Sequence, residues 1–341
     1  MTVLVTGGAG HLGNNAVRAL LARRRKVRVL VHKESASLDG LDVEKCAGDL
    51  LDRPSLDKAL EGVETVYHFA GIVSLAPKDG PRVLHTNVRG TRNVVEACLA
   101  RGVKRLVHCS SIHALACAGP GGVTDESRPA NDGPSSNAYD RSKTESESEI
   151  GGGIARGLDA VIVNPTAVIG PHDYAPRLAG RALIDMYSGK LKVGVEGGFN
   201  WVDVRDVAAG ALAAEARGRT GERYLLSGHW ASFRSLGVAM RQATGRPGPK
   251  IVAPLWLAKL GAPFVGAHAK YTGSRPIYTA AELRVLKEHR HCDSTKARVE
   301  LGIEPRPLAS TIADTFSFYE RAGLLEPGVH RGRSLSVEAF L

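Results

Sequence analysis

Short runs of β-branched and other apolar residues alternate, through the first half of the chain, with stretches whose apolar positions recur every three or four residues. Val3-Leu4-Val5 is followed by a stripe at Leu12, Ala16, Ala19 and Leu20, the spacing of one helix face. Further runs stand at Val27-Arg28-Val29-Leu30-Val31, Val43-Glu44-Lys45-Cys46, Val66-Tyr67-His68-Phe69, Leu106-Val107-His108-Cys109 and Ala160-Val161-Ile162-Val163. Each is separated from the next by a helix or a crossover. That pattern predicts an α/β chain with a doubly wound parallel sheet and helices on both faces.

Past residue 170 the pattern loosens. Helices are expected near 176–189, 204–217, 232–244, 279–287 and 307–322, and strand-like pieces at 200–202 and 223–227, with Gly and Pro punctuating 245–276. The division expected is a first domain over 1–170, to which segments around 200–230 return, a smaller mixed α/β C-terminal substrate lobe over 171–325, and a tail over 326–341. The apolar segment 254–264 has the amphipathic character of a membrane-surface helix, but its internal Gly and Pro favour a lid or core helix.

Composition narrows the class. The 341 residues, 43% apolar and 23% charged, suffice for a buried core, and no apolar run reaches the length of a membrane span. No secretory leader is read in MTVLVTGG, so a cytoplasmic location is expected. Cysteines 46, 98, 109, 117 and 292 form no CxxC pair and read as reduced thiols. The net charge of +10 raises nucleic acid as a partner, but few aromatics interleave with the basic residues. A small anionic molecule fits the charge better, and neither a nucleic-acid nor a membrane partner is expected.

Thr6-Gly7-Gly8-Ala9-Gly10-His11-Leu12-Gly13 sits where the first strand gives way to the first helix. Glycines there permit a tight turn and close backbone approach to a pyrophosphate, and the helix N-terminus offers free N–H groups to it. Gly7, Gly10, His11, Leu12 and Gly13 are therefore candidate dinucleotide contacts. The residues closing the second strand are Val31-His32-Lys33-Glu34. An acidic residue at that place would bind the ribose 2′-hydroxyl, whereas Lys33, with His32 beside it, suits a 2′-phosphate, so NADP(H) is favoured. Glu34 leaves NAD(H) open.

Tyr139 and Lys143 lie four apart, on one face of a helix. A nearby ammonium stabilises a phenolate and brings a tyrosine toward acid/base work at neutral pH. Ser110-Ser111 closes a predicted parallel strand, the end at which open α/β sheets bind ligands, and Asn87 heads an earlier helix. Together with the glycine turn, Asp49-Leu50, His68-Phe69-Ala70-Gly71, Asn87-Val88-Arg89-Gly90-Thr91, Cys109-Ser110-Ser111 and Asn164-Pro165-Thr166-Ala167-Val168-Ile169-Gly170-Pro171, these residues resemble the extended short-chain dehydrogenase/reductases. Within them the chain is most similar to the branch of dihydroflavonol reductases and 3β-hydroxysteroid dehydrogenases.

The resemblance spans residues 2 to about 322 and implies a Rossmann fold. It implies Tyr139 as acid/base, Lys143 on the nicotinamide ribose, Ser111 on the reacting oxygen, and Asn87 placing a relay water. Asp49 and Leu50 would contact adenine, Ala70 and Gly71 would line the dinucleotide, Pro165 and Thr166 would seat the carboxamide, and Ser110 would support the loop. A homodimer packing the helices around 82–100 and 138–156 is also implied.

Three departures bear on the branch. Sugar-nucleotide dehydratases of this superfamily carry an Asp-Glu pair after the active-site hydroxyl, and here stand Ile112 and His113. The Gly-Pro turn lacks their tyrosine with an arginine or glutamine, and Gly197–Val204 lacks a pyrophosphate-pairing arginine. Val73, Leu75, His113, Asn200 and Trp201 are candidate substrate contacts, each with an ordinary packing or loop role as the alternative. His289-Arg290-His291-Cys292 lacks further ligands at zinc spacing, so no metal is expected. The leading expectation is NADPH-dependent reduction of a ketone or aldehyde, or its reverse. A sugar-nucleotide epimerase using NAD and a dinucleotide-sensing regulator are the alternatives.

Overall fold

The computed structural model describes every residue except 34, 120, 134–135, 192, 250, 263–279, 287 and 326–341. Glu34 and the expected tail therefore lie outside the described residues. The strands are β1 (Thr2–Thr6), β2 (Lys26–Val31), β3 (Glu44–Ala47), β4 (Val63–His68), β5 (Arg105–Cys109), β6 (Val123–Thr124) and β7 (Ala160–Pro165). They continue with β8 (Ala167–Ile169), β9 (Val193–Val195), β10 (Gly198–Asp203), β11 (Arg223–Leu226), β12 (His229–Ser232), β13 (Ile251–Ala253) and β14 (His291–Cys292). The helices are α1 (His11–Ala22), α2 (Arg53–Ala59), α3 (Gly80–Leu84), α4 (Gly90–Arg101), α5 (Ala138–Ile154) and α6 (Leu178–Tyr187). After them come α7 (Val204–Arg217), α8 (Phe233–Thr244), α9 (255–262), α10 (Ala280–Val285) and α11 (Leu308–Arg321).

Seven strands form one parallel sheet in the order β11-β7-β5-β4-β1-β2-β3. With helices on both faces it is a Rossmann-like doubly wound sheet, and smaller sheets lie beside it. Strands buried on both faces read as unbroken apolar runs, as Ala160–Val163 of β7 do. One face packs Val3, Val5, Val29 and Val163 under α1 and α7. The other packs Leu4, Leu30, Leu106 and Ile162 under α2, α4 and α5. Of the 200–230 segment, α7 and β11 join this layer, whereas β10 pairs with β8 and β12 in a three-stranded sheet. A third core around Phe233, Met240, Phe316 and Tyr319 fills the later half.

Asn87 departs from the expected place at a helix head. It sits inside the helical stretch from α3 to α4, on a widened π turn over His85–Arg89. Such single turns recur at functional sites because they rotate a side chain off the regular face.

At the sheet edge away from the strand C-termini, Glu215 of α7 ties three elements together. It accepts from Tyr67 Oη at 2.6 Å, Thr65 Oγ1 at 3.0 Å and both terminal nitrogens of Arg25 at 2.9 and 3.2 Å. Burial opposes its ionisation, but the Arg25 and Tyr67 hydrogen bonds outweigh it and hold the carboxyl below its ordinary pKa. Removing this carboxylate strands Arg25 at a half-buried position. Glu215→Gln is expected to lower unfolding stability by about 2 kcal/mol, and Tyr67→Phe by about 1 kcal/mol, read from urea midpoints at constant slope.

Candidate active site

Strand C-termini converge on one edge, and the loops leaving them carry most of the residues singled out from sequence. The first is the turn after β1. Gly7 holds a left-handed φ of 72°, and a β-carbon there would sit 2.6 Å from the Ala70 backbone nitrogen. At Gly13 a β-carbon would overlap the Gly7 carbonyl. Only glycine allows the turn to press against the loop after β4 and α1 to start beneath it. Gly10 caps α1 without a side-chain hydrogen bond, so the first N–H groups of the helix face the turn. His11 points elsewhere, its Nε2 3.1 Å from the Pro171 carbonyl, and Leu12 packs on the core. Ser37, which sequence reasoning passed over, closes the turn from behind by donating to the Ala9 carbonyl, while Asn14 donates to the Ser37 carbonyl at 2.7 Å.

Beyond β2, His32 pairs with Asp49 across a 2.9 Å contact and Lys33 is exposed. Asp49 Oδ1 also accepts from the Leu51 N–H. Leu50 is buried beneath Gly90, where a β-carbon would lie 3.0 Å from the leucine. The residues expected around the adenosine end therefore stand together on one rim.

Catalytic candidates gather around α5. Asn137 caps this helix by accepting from the Tyr139 and Asp140 N–H groups at 2.8 and 3.0 Å, and Asp140 Oδ2 accepts from the Asn137 N–H in return. The buried face then runs Tyr139, Lys143, Ser146, Ile150 and Gly153 at helical spacing. Gly153 is small because a β-carbon would meet Val95 at 2.6 Å. Lys143 Nζ donates to the Cys109 carbonyl at 3.1 Å, and burial draws its pKa down. Burial pushes the Tyr139 phenol up, against a lowering hydrogen bond with Ser111. Ser111 Oγ also accepts from the His113 N–H at 3.2 Å, and its carbonyl accepts from Asn164 Nδ2 at 3.0 Å. Ser111, Tyr139 and Lys143 are thus brought to one spot.

Asn87 is spent on protein partners. Its Oδ1 accepts from the Ile72 N–H at 2.7 Å and its Nδ2 donates to the Ile72 carbonyl and Ser142 Oγ, both at 3.0 Å. It thereby fixes the loop of Ala70 and Gly71, where a β-carbon on Gly71 would lie 3.3 Å from Asn87 Oδ1 and 3.9 Å from Lys143 Nζ. Thr166, following Pro165 at the end of β7, donates to Asn200 Oδ1 at 3.1 Å. That same oxygen accepts from the Gly228 N–H, so Asn200 holds the Pro165-Thr166 segment in place. Trp201 belongs to core packing: only 2% exposed, it donates Nε1 to the Ala231 carbonyl. Val73 is exposed and Leu75 half-buried on the loop after β4. Among the described residues Ser110 Oγ, which is buried, has no hydrogen-bond partner. Cys109 is a buried thiol whose pKa burial pushes up to about 11, an inert residue at neutral pH.

The feature that sequence reasoning missed is the charge around Asp140. Its carboxylate, 1% exposed, faces His113 Nδ1 at 3.2 Å and Arg284 Nη2 of α10 at 3.0 Å. The His113 ring stands edge-on to Tyr139, with centroids 5.7 Å apart, and 6.0 Å from His289. His113 therefore joins the backbone beside Ser111 to the head of the tyrosine helix. The Asn-x-x-Asp capping pattern at 137–140 was the available signal; nothing in sequence marked Arg284. His289 Nδ1 contacts Thr124 Oγ1, and among the described residues no His, Cys, Asp and Glu cluster stands in a metal-binding arrangement.

The sequence model described as "NAD dependent epimerase/dehydratase family" matches residues 3–227. The chain is 38% identical to a sterol demethylase protein B of Methylococcus capsulatus over 95% of this chain and all of that one. It is 33% identical to a putative dihydroflavonol 4-reductase of Synechocystis, over 94% of this chain and 95% of that one. The crystal structure of gox2253 superposes with a TM-score of 0.84 at 32% identity, covering 95% of this chain and 99% of that one.

Burial works against the ionisation of Asp140, but the His113 and Arg284 contacts and the Asn137 N–H hold its pKa below the ordinary value. A depressed carboxyl stabilises the fold above its unfolded pKa of about 3.9, and the contribution fades as pH falls through the folded value. Asp140→Asn is expected to lose about 2–3 kcal/mol at pH 7. The gap to the parent should begin to narrow below about pH 4 and close once pH has fallen past the folded value, measured as urea midpoints along a pH series.

Proposed function

The chain belongs to the NAD-dependent epimerase/dehydratase family and is an NAD(P)-dependent oxidoreductase, and from that premise we propose that it reduces a bulky, apolar ketone or aldehyde to the alcohol, or runs the reverse, with Tyr139 as acid/base. The observation that carries this reading is the meeting of Ser111, Tyr139 and Lys143 at the ends of β5 and α5. The names of its relatives, a sterol demethylase protein and a putative dihydroflavonol reductase, support a ring-bearing apolar substrate. Ile112 and His113, standing where an elimination enzyme would need two carboxylates, support reduction over elimination.

A nicotinamide dinucleotide fits the residues present. Gly7 and Gly13 let the turn pack against the loop after β4 and over the start of α1 with no side chain between, and the uncapped start of α1 offers N–H groups at that turn. Gly7, Gly10 and Gly13 would hold the pyrophosphate, the rim of His32, Lys33, Asp49 and Leu50 the adenosine end, and Ala70, Gly71, Lys143, Pro165 and Thr166 the nicotinamide half. When bound, the dinucleotide supplies or accepts a hydride.

The protein's part is placement and proton handling. Ser111 and Tyr139 donate hydrogen bonds to the carbonyl oxygen, and the negative charge that grows there strengthens both. Tyr139 passes its proton to that oxygen in reduction, and Lys143 stabilises the phenolate left behind. A buried phenol holds its proton at neutral pH, the state that reduction requires. Lys33 and His32 favour NADPH by pairing with a 2′-phosphate.

Tyr139→Phe is expected to reduce turnover at least about a thousandfold while NADPH affinity changes less than about threefold, measured by single-turnover absorbance and equilibrium titration. A variant keeping most of its activity would remove Tyr139 from the role. In a ketone and aldehyde panel run with both cofactors, Lys33→Ala is expected to raise KM for NADPH about tenfold and leave that for NADH within about twofold. Consumption of NADH alone by the parent would reverse the cofactor assignment. Copurified NAD without carbonyl reduction would favour an epimerase.

A further inference from the structure

The charge of the chain is unevenly placed. Residues 223–281 contain no Asp or Glu and eight Lys or Arg; among the described residues Arg223 pairs with Glu147 and Arg246 lies over the Tyr187 ring, while Arg234, Arg241 and Lys259 stand exposed. The same stretch presents large apolar side chains to solvent: Trp256 is 65% exposed, Leu260 64%, Ile251 62%, Val238 54% and Leu257 49%. Three of these lie on α9, which buries Leu255 toward the core and turns Trp256, Leu257 and Leu260 outward beside exposed Lys259. Ile251 heads β13 immediately before it. Val238 on α8 is next to Gly237, whose β-carbon position lies 3.3 Å from Gly248 on the approach to β13. Arg241, one turn beyond Val238, is exposed as well.

An apolar ridge that ends in Trp and Leu and is flanked by Lys and Arg is the composition of a helix lying in a lipid interface. Its apolar residues enter the acyl boundary while the cations stay among the headgroups. We propose that α9, with Ile251 at the head of the strand before it, docks this protein onto the surface of an anionic lipid bilayer. The charge pattern selects that occupant. A second copy placed on the same ridge would set exposed Arg234, Arg241 and Lys259 against their own counterparts. Nucleic acid would satisfy the cations and leave Leu257, Leu260 and Ile251 in water. Contact of this kind lies in the surface, so it needs no spanning helix, and none of the described helices is long and apolar enough to be one. The inference stands apart from the proposed reaction, because docking is measured without turnover.

The full-length protein is sedimented with phosphatidylcholine vesicles and with vesicles of phosphatidylcholine and phosphatidylglycerol. Affinity for the anionic vesicles is expected to exceed that for the neutral ones by about tenfold or more and to fall as salt is raised. Trp256→Ser/Leu260→Ser is expected to weaken anionic-vesicle binding about tenfold or more with an unchanged thermal melt. Lipid brominated near the headgroup should quench parent fluorescence, and Trp256→Phe should lose that quenching while the other tryptophans stay silent. Equal sedimentation of parent and double variant, or no sedimentation with either vesicle, would overturn the proposal. So would a dimer in light scattering that becomes a monomer in the double variant, which would identify a second copy as the occupant.

Discussion

A buried ammonium is among the least tolerable groups in a protein interior, and Lys143 is accommodated by one backbone oxygen, the Cys109 carbonyl at the end of β5. Much else follows from that contact. It sets the rotation of α5 against the sheet, so Tyr139, one turn earlier on the same face, arrives beside Ser111 on the loop that leaves the same strand. It also draws Gly71 near, because the loop after the neighbouring β4 must pass over the lysine. A parallel sheet makes this possible: all seven strands end at one edge, and adjacent loops meet without any long excursion.

The second dependency is at the head of α5. A helix that carries Tyr, Asp, Ser, Lys and Glu on its buried face gains little from apolar packing there. Its position is held by polar partners: the Asn137 cap, Asn87 on Ser142, and the paired grip of Arg284 and His113 on Asp140. Arg284 belongs to α10, far along the chain, so the C-terminal lobe touches the acid/base helix through a charge. Whatever seats that lobe also sets the electrostatic surroundings of the phenol.

This explains which parts were legible in sequence. The sheet was, since runs such as Val3–Val5 and Ala160–Val163 are buried on both faces and read without alternation. The glycine turn was, because Gly7 and Gly13 have backbone demands no other residue meets. Tyr139 and Lys143 share a face by helix periodicity alone. Short strands such as β9, β13 and β14 were not legible, because two or three residues carry no period. Asn87, Asn200 and Asp140 were misread or missed for one reason: their roles are hydrogen bonds and ion pairs to residues that are distant in sequence. Trp201 exposes the same limit, since an aromatic residue beside a polar one in sequence can face a core as readily as a pocket.

Net charge was the least informative number of all until it was resolved along the chain. An excess of ten cations spread evenly would describe a solvated surface and little else. Resolved along the described part of residues 223–281, it separates Arg223, which pairs with Glu147, from Arg234, Arg241 and Lys259, which stand exposed. Acidic residues are the usual means by which a basic surface is neutralised locally, through pairs such as Arg92 with Glu149 or Lys104 with Glu64 on the opposite half of this chain. Lys259 of α9 stands exposed among apolar residues that water solvates poorly. Both kinds of side chain are satisfied together only by a partner that is anionic at its surface and apolar beneath.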